Sequence, residues 1–130
     1  IADSIRVADN AEGVRTALTI ADTLEHGLVF VNLNDFDSKY GHRRDVRGYA
    51  DALERLDAML PAILERIRPG DGLIFTADHG CDPTAPGSDH TREYVPFLEY
   101  GTAAGADLGV VDGMSHVGER MAAILDPVRR

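Results

Sequence analysis

Apolar residues in the first half of the chain recur with helical spacing in two places. The first series follows Asp9, a residue type favoured at helix N-caps, and includes Val14 and Leu18. A longer series follows Asp45, another candidate N-cap, with apolar positions at Val46, Tyr49, Leu53, Leu56, Leu60, Ile63, Leu64 and Ile67. Pro61 lies within this series, where we expect a kink or a break. The pattern therefore predicts two amphipathic helices.

Short apolar runs predict the β-strands. The run GLVFVNL covers 27–33 and the run GLIFTA covers 72–77, and both are typical of strands covered on both faces of a sheet. A third strand is expected over 94–100, where Pro96 indicates an edge position or a bulge. A last helix is predicted over 115–125. This order of strands and helices indicates an α/β fold with helices on the faces of the sheet.

Two polar segments follow the first two predicted strands, where open α/β sheets usually carry their sites. Their acids and imidazoles are Asp35, Asp37 and His42 in the first segment and Asp78, His79, Asp82, Asp89 and His90 in the second. Each such residue alone is more commonly a turn former, a helix cap or a surface group. Their concentration after two strands favours a metal site, and carboxylate with imidazole suits Mn²⁺ or Zn²⁺ better than Ca²⁺.

Composition and charge narrow the class of protein. The 130 residues suffice for one ordinary domain, and a formal charge of -9 argues against nucleic acid or an anionic membrane as the main partner. A phosphorylated substrate is compatible with this charge if bound cations reverse the local potential. No apolar run approaches the roughly 20 residues of a membrane span, and the single Cys81 fits a reducing cytoplasm. Because the chain begins at Ile1 and not at Met, we expect either a removed leader or a piece of a longer protein.

Two long motifs carry a family resemblance. The segments NLNDFDSKYGHRRDVRGYADALERLD and IFTADHGCDPTAPGSDHTREYVPFLEYG closely resemble the phosphopentomutase family of the alkaline phosphatase superfamily. ADHG alone is shared across the superfamily, whereas DFDSKYGHRRD and DPTAPGSDHTREYVP are far more specific. The resemblance implies an alkaline-phosphatase-like three-layer core, with helices on both faces of a mostly parallel sheet. It implies that 1–130 is the C-terminal part of that core, without its N-terminal portion and cap domain.

The resemblance also implies an activity and a set of ligands. Family members interconvert ribose or deoxyribose 1-phosphate and the 5-phosphate with two Mn²⁺ ions and a phosphorylated Thr, primed by a sugar bisphosphate. By this resemblance Asp78 and His79 ligate one ion, and Asp37, His42 and His90 ligate the other. The Thr nucleophile and a further Asp ligand belong to the N-terminal portion, so no catalytic nucleophile is expected here. The expected partners are a pentose phosphate and that N-terminal half, and the piece alone is expected to be inactive.

Other polar residues have less certain assignments. Six residues have two open interpretations: each either lies near the ions or a phosphate, or is an ordinary exposed group. They are Asp35, Arg43, Arg44, Asp82, Asp89 and Arg92. Cys81 is predicted to be structural. Two alternatives remain open: a cofactor-independent phosphoglycerate mutase or phosphatase of the same superfamily, and a non-catalytic metal-binding fragment. The DHTREYVP stretch speaks against the first alternative.

Overall fold

The computed structural model describes residues 3–101 and 105–125. Its elements, in chain order, are helix α1 (Asn10–Thr23), a π-helix (Asp35–Gly41), helix α2 (Val46–Leu64), strand β1 (Leu73–Thr76), strand β2 (Phe97–Tyr100) and helix α3 (Ser115–Leu125). The chain divides into two units: unit 1 contains Ile1–Arg66 and Cys81–Thr91, and unit 2 contains Ile67–Gly80 and Arg92–Arg130.

Helix α1 of unit 1 begins at the predicted cap. Asp9 accepts a hydrogen bond from the backbone N–H of Glu12 at 2.8 Å, and the Glu12 carboxylate accepts one from Ala8 N at 2.6 Å. These reciprocal bonds satisfy two backbone donors at the helix start. Gly13 lets the following chain pass close to the helix, because a Cβ there would lie 3.3 Å from Val31 Cγ1.

The prediction of a strand over 27–33 is wrong for the structure described here. Residues 28–33 form no strand, although their side chains alternate in exposure as strand residues do. Val31 is half-buried, whereas Phe30 is 78% exposed. A strand is defined by pairing with a second backbone, and no other segment within 3–101 or 105–125 pairs with this one.

The polar segment after residue 33 contains the π-helix, which the sequence did not predict. Its wider turn appears as bonds between residues five apart, from His42 N to Asp37 O and from Asp45 N to Tyr40 O, each 3.0 Å. Such turns are frequently found at functional sites. The π-helix therefore sets the direction of Asp37 and His42.

Helix α2 starts at its predicted N-cap, where Asp45 Oδ1 accepts from Gly48 N at 2.9 Å. The helix is not split at Pro61 and continues to Leu64, short of the predicted Ile67. Pro61 has no N–H to bond the Asp57 carbonyl, and only three residues of the helix follow it. The helix packs against the π-helix and α1, and its Ala52 and Ile63 are each 5% exposed.

In unit 2, β1 and β2 confirm the predicted strands over 72–77 and 94–100, and Pro96 directly precedes β2. They pair antiparallel, with Leu73 opposite Tyr100 and Thr76 opposite Phe97. The α/β class is therefore observed, but the described residues contain no parallel pair.

Helix α3 also forms where predicted, over Ser115–Leu125. Its Arg120 binds Glu99 of β2 through two hydrogen bonds of 2.9 and 2.5 Å, and the Glu99 side chain is only 6% exposed. This paired geometry ties α3 to the strand pair within unit 2. Among the helices of 3–101 and 105–125, none combines the length and apolar character required to cross a bilayer.

Candidate metal centre

Unit 1 brings together three of the predicted ligands, Asp37, His42 and His90, which we call the Asp37 cluster. Nε2 of His42 and Nε2 of His90 each lie 3.4 Å from Asp37 Oδ1. The two Nε2 atoms are 3.2 Å apart. Two ligand atoms about 2.1 Å from one ion, at a tetrahedral or octahedral angle, are about 3.0–3.4 Å apart. The three separations therefore match those of atoms that share one metal ion.

The protonation of His42 also fits a metal ligand. Its Nδ1 lies 2.5 Å from the backbone carbonyl oxygen of Ser88. A carbonyl oxygen can only accept, so Nδ1 carries the hydrogen, and in neutral imidazole Nε2 then carries the lone pair. That lone pair faces the Asp37 carboxylate. A hydrogen bond from the second ring nitrogen to a carbonyl is the usual way proteins orient a ligating histidine.

Asp37 Oδ1 adds a second sign of a bound cation. This atom is buried, although the side chain as a whole is 36% exposed, and it has no hydrogen-bond partner within the described residues. Buried carboxylate oxygens are normally satisfied. A divalent cation between Asp37 and the two imidazoles would satisfy the oxygen and offset the repulsion between facing lone pairs. The residues of the Asp37 cluster therefore fit a divalent metal ion.

Residues 82–90 form the loop that carries His90. Asp82 N donates to Thr91 Oγ1 at 2.7 Å, and Asp82 Oδ1 accepts from the Thr84 hydroxyl at 2.7 Å and from Thr84 N at 2.8 Å. The bond from the Thr84 hydroxyl, followed by that from its backbone N–H, lowers the pKa of Asp82. Asp82, predicted to lie near the metal, thus stabilises the start of the loop. Thr91 was not predicted, although it directly follows His90 in the DHTREY motif.

Unit 2 holds the other two predicted ligands, Asp78 and His79, which we call the Asp78 pair. They follow β1, and His79 Nε2 lies 3.6 Å from Asp78 Oδ1. His79 Nδ1 lies 3.1 Å from the Gly80 carbonyl, which makes Nε2 the lone-pair nitrogen of the neutral ring. The Asp78 side chain is 87% exposed. Carboxylate and imidazole of this pair therefore present adjacent donor atoms.

The remaining predicted residues have mostly structural contacts. Asp35 accepts from Asn10 N at 3.1 Å and pairs with Lys39 Nζ at 2.8 Å, and the hydrogen bond that Lys39 donates to Asp35 raises the pKa of Lys39. Arg44 donates to backbone carbonyls of the 82–90 loop. Arg43 and Arg92 are exposed.

Asp89 contributes its backbone carbonyl to Arg44, at 2.8 Å. The Cys81 sulfur packs against Gly41, where an added Cβ would overlap it. The prediction of a structural Cys81 agrees with this contact. The sequence did not indicate the close contact of Gly41 with Cys81, although a glycine between two predicted ligands is typical of a turn.

A family model described as the metalloenzyme superfamily matches residues 3–126. The chain belongs to the metalloenzyme superfamily. Membership implies that divalent metal ions are bound, in agreement with the donor atoms of the Asp37 cluster.

Curated relatives in this superfamily are named phosphopentomutase. The protein of Anaeromyxobacter sp. (strain K) is 52% identical over 123 residues, which are 94% of this chain and 32% of the relative. That of Caldanaerobacter subterraneus subsp. tengcongensis is 47% identical over 128 residues, 97% of this chain and 33% of the relative. That of Symbiobacterium thermophilum is 48% identical over 124 residues, which are 94% of this chain and 32% of the relative. The chain thus spans about one third of the length of the curated relatives that it matches.

Proposed function

We propose that this chain is the C-terminal part of the catalytic core of a phosphopentomutase. Its full-length parent would interconvert ribose or deoxyribose 1-phosphate and the corresponding 5-phosphate. The observation that carries this proposal is the identity of 47–52% to proteins of that name over 94–97% of the chain. The metal-binding chemistry of the Asp37 cluster supports it, because phosphoryl transfer depends on charge stabilisation by bound cations.

We assign the predicted ligands to two ions. Asp37, His42 and His90 would hold one ion, and Asp78 and His79 would contribute to the other. Oxygen and nitrogen donors without thiolate suit Mn²⁺, with Zn²⁺ as the alternative. When bound, such ions supply positive charge next to the transferring phosphoryl group. The residues of this chain hold and orient the donor atoms, as the Ser88 carbonyl does for His42.

The proposed nucleophile, a phosphorylated Thr primed by a sugar bisphosphate, is assigned to an N-terminal portion of the parent, together with a further Asp ligand and the cap domain. Neither Thr84 nor Thr76 is a convincing substitute. The Thr84 hydroxyl donates to Asp82 at 2.7 Å, and Thr76 lies in β1 opposite Phe97. The 130-residue chain alone is therefore expected to bind metal weakly and to lack turnover.

A substrate panel on the full-length protein tests the proposal. Ribose 1-phosphate, deoxyribose 1-phosphate, phosphoglycerate and an aryl phosphate would each be incubated with Mn²⁺ and a sugar bisphosphate. We expect pentose 1-phosphates to be converted to 5-phosphates, and chelation to abolish the reaction. Conversion of phosphoglycerate, or net release of inorganic phosphate, would instead support another member of the superfamily.

The 130-residue chain by itself tests the alternative that the protein is a non-catalytic metal-binding fragment. Elemental analysis of residues 1–130 and of the full-length protein, purified in parallel, compares their metal content. Full occupancy of both ions in the full-length protein and partial occupancy in the chain alone are expected. Equal occupancy without turnover in either would favour a non-catalytic metal-binding protein.

A further inference from the structure

Arg44 has an unusual backbone conformation for a residue with a large side chain. Its φ of 54° is the sole positive value of a non-glycine residue in the described part of the chain. The left-handed region is unfavourable for residues with a Cβ, so it persists where other contacts compensate for it. Arg44 lies two positions after the candidate ligand His42. We therefore expect contacts of the Arg44 side chain to stabilise this conformation.

The guanidinium of Arg44 donates to three backbone carbonyls of the 82–90 loop. Nη1 donates to Asp82 O at 2.6 Å, Nη2 donates to Asp89 O at 2.8 Å, and Nε donates to Gly87 O. This loop contains two prolines and no regular secondary structure, so few of its carbonyls are paired within the loop itself. A planar guanidinium offers several N–H groups in fixed directions, unlike a lysine ammonium.

His42 completes the contact between the two segments. Its Nδ1 donates to Ser88 O, which lies between the two Arg44 acceptors Gly87 and Asp89. Three consecutive carbonyls, those of 87, 88 and 89, are therefore held by residues 42 and 44. The next residue is His90, whose Nε2 lies 3.4 Å from Asp37 Oδ1. The position of His90 thus follows directly from the clamped backbone.

We propose that Arg44 is a positioning residue for the metal centre, which acts through the 82–90 loop to hold His90 in the Asp37 cluster. The inference rests on the proposed role of this cluster as a set of metal ligands. The guanidinium of Arg44 donates to the carbonyls of the 82–90 loop and thereby pre-organises the site before a metal ion binds.

Three variants of the full-length protein test the proposal. Arg44→Gly removes the guanidinium, and glycine accepts the positive φ without strain. Arg44→Lys keeps the charge but not the planar fork. Arg6→Gly is the matched control, because Arg6 is exposed, lies outside the helices, and has no hydrogen bond or ion pair among the described residues. Circular dichroism establishes whether each variant folds. If Arg44→Gly does not fold, the comparison of Arg44→Lys with the control decides the test.

The primary measurement is the dissociation constant for the ion of the Asp37 cluster, from Co²⁺ absorption titrations of the metal-free protein. Loss of a residue that orients a metal ligand typically weakens affinity by about 10–100-fold. We expect that loss in Arg44→Gly and a substantial part of it in Arg44→Lys, with Arg6→Gly unchanged. Millimolar guanidinium should partly restore affinity in Arg44→Gly, and excess metal should restore most of kcat. Wild-type affinity in both Arg44 variants, or an equal loss in Arg6→Gly, overturns the proposal.

A second measurement separates this inference from the proposed function. Hydrogen exchange of residues 82–90 in metal-free protein reports the clamp without any ion or substrate. Faster exchange in Arg44→Gly than in Arg6→Gly supports the clamp, and equal exchange overturns it. If the wild-type protein bound metal but did not act on pentose phosphates, the proposed function alone would fail. If it acted on them while Arg44→Gly kept full metal affinity, the inference alone would fail.

Discussion

The Asp37 cluster of unit 1 and the Asp78 pair of unit 2 are built in different ways. The cluster joins residues far apart in sequence, His42 and His90. Hydrogen bonds from His42 and Arg44 hold the 82–90 loop, which ends at His90. The pair consists of sequence neighbours at the end of β1, and Asp78 is 87% exposed. The cluster therefore takes its geometry from protein contacts, whereas the pair offers two donor atoms and would depend on further ligands to hold an ion. Ligands that are distant in sequence require a scaffold, and neighbouring ligands do not.

The largest expected effect tests whether the two ligand sets hold separate ions. Asp37→Ala in the full-length protein removes the shared carboxylate of the cluster, so one of two ions should be lost. Turnover should fall by roughly 10²–10⁴-fold, since bound cations contribute several kcal/mol of charge stabilisation. Elemental analysis and pentose phosphate turnover measure both effects.

The exposed Asp57 of α2 provides the control for that variant. Asp57→Ala should retain two ions and full turnover. Undiminished turnover of Asp37→Ala with both ions bound would contradict the ligand assignment.

The second prediction compares the metal affinity of the Asp37 cluster with that of the Asp78 pair. Asp78→Ala leaves only the cluster intact, and Asp37→Ala leaves only the pair. We expect the ion of the pair to be bound at least roughly tenfold more weakly, because fewer hydrogen bonds orient its ligands. Calorimetric titration of the two metal-free variants gives the two dissociation constants. Tighter binding by the pair would reverse the comparison.

A third effect concerns packing around the cluster. A Cβ at Gly41 would overlap Cys81 Sγ, and it would lie 2.8 Å from Phe36 O. Gly41→Ala should therefore lower the free energy of unfolding by about 1–3 kcal/mol. Gly118 of α3, in unit 2, has no neighbour within 4 Å of such a Cβ, so Gly118→Ala should raise stability by about 0.5–1 kcal/mol.

Denaturant unfolding of the metal-free protein measures both glycine variants. The opposite signs expected for Gly41 and Gly118 distinguish the crowded surroundings of the cluster from the open face of α3. A Gly41→Ala variant as stable as the wild type would show that the π-helix and Cys81 can move apart at little cost.

The smallest effect is a pH dependence of the 82–90 loop. Hydrogen bonds from Thr84 lower the pKa of Asp82 below its ordinary value in the folded protein. A lowered folded-state pKa means that the stabilisation is present above the unfolded value and is lost as pH falls through the folded value. We expect faster hydrogen exchange of the loop, corrected for intrinsic rates, below about pH 4.

Asp82→Asn should weaken this pH dependence, because its amide accepts from Thr84 but does not titrate in this range. Asp71→Asn in unit 2 is the control, since the Arg68 hydrogen bond also lowers the pKa of Asp71, outside the loop. An unchanged pH profile in Asp82→Asn would show that other groups control the loop.

Local interactions explain which parts of the fold were predictable. Asp9 and Asp45 cap α1 and α2 by bonds to residues three positions away, so a short window of sequence contains both partners. The strands at 72–77 and 94–100 and the final helix were predicted for similar reasons. The strand over 27–33 was not found, because pairing depends on a second segment that the run itself does not specify.

The same distinction applies to the metal centre. The family motifs predicted Asp37, His42 and His90 as ligands of one ion, and the structure places their donor atoms 3.2–3.4 Å apart. The sequence did not show that Arg44 holds the loop of His90, nor that a π-helix carries Asp37. Arg44 and Asp89 are 45 positions apart, so their contact exists only once the chain has folded.

The sequence by itself determined the helix starts, the strand-forming segments of unit 2 and the chemistry available for binding a cation. These depend on side-chain type and on neighbours within a few residues. The tertiary structure decided the antiparallel pairing of β1 with β2, the clamp of Arg44 and the meeting of the cluster's donor atoms. Each of these requires the closure of a long stretch of chain, whose free energy is set by all the contacts formed together.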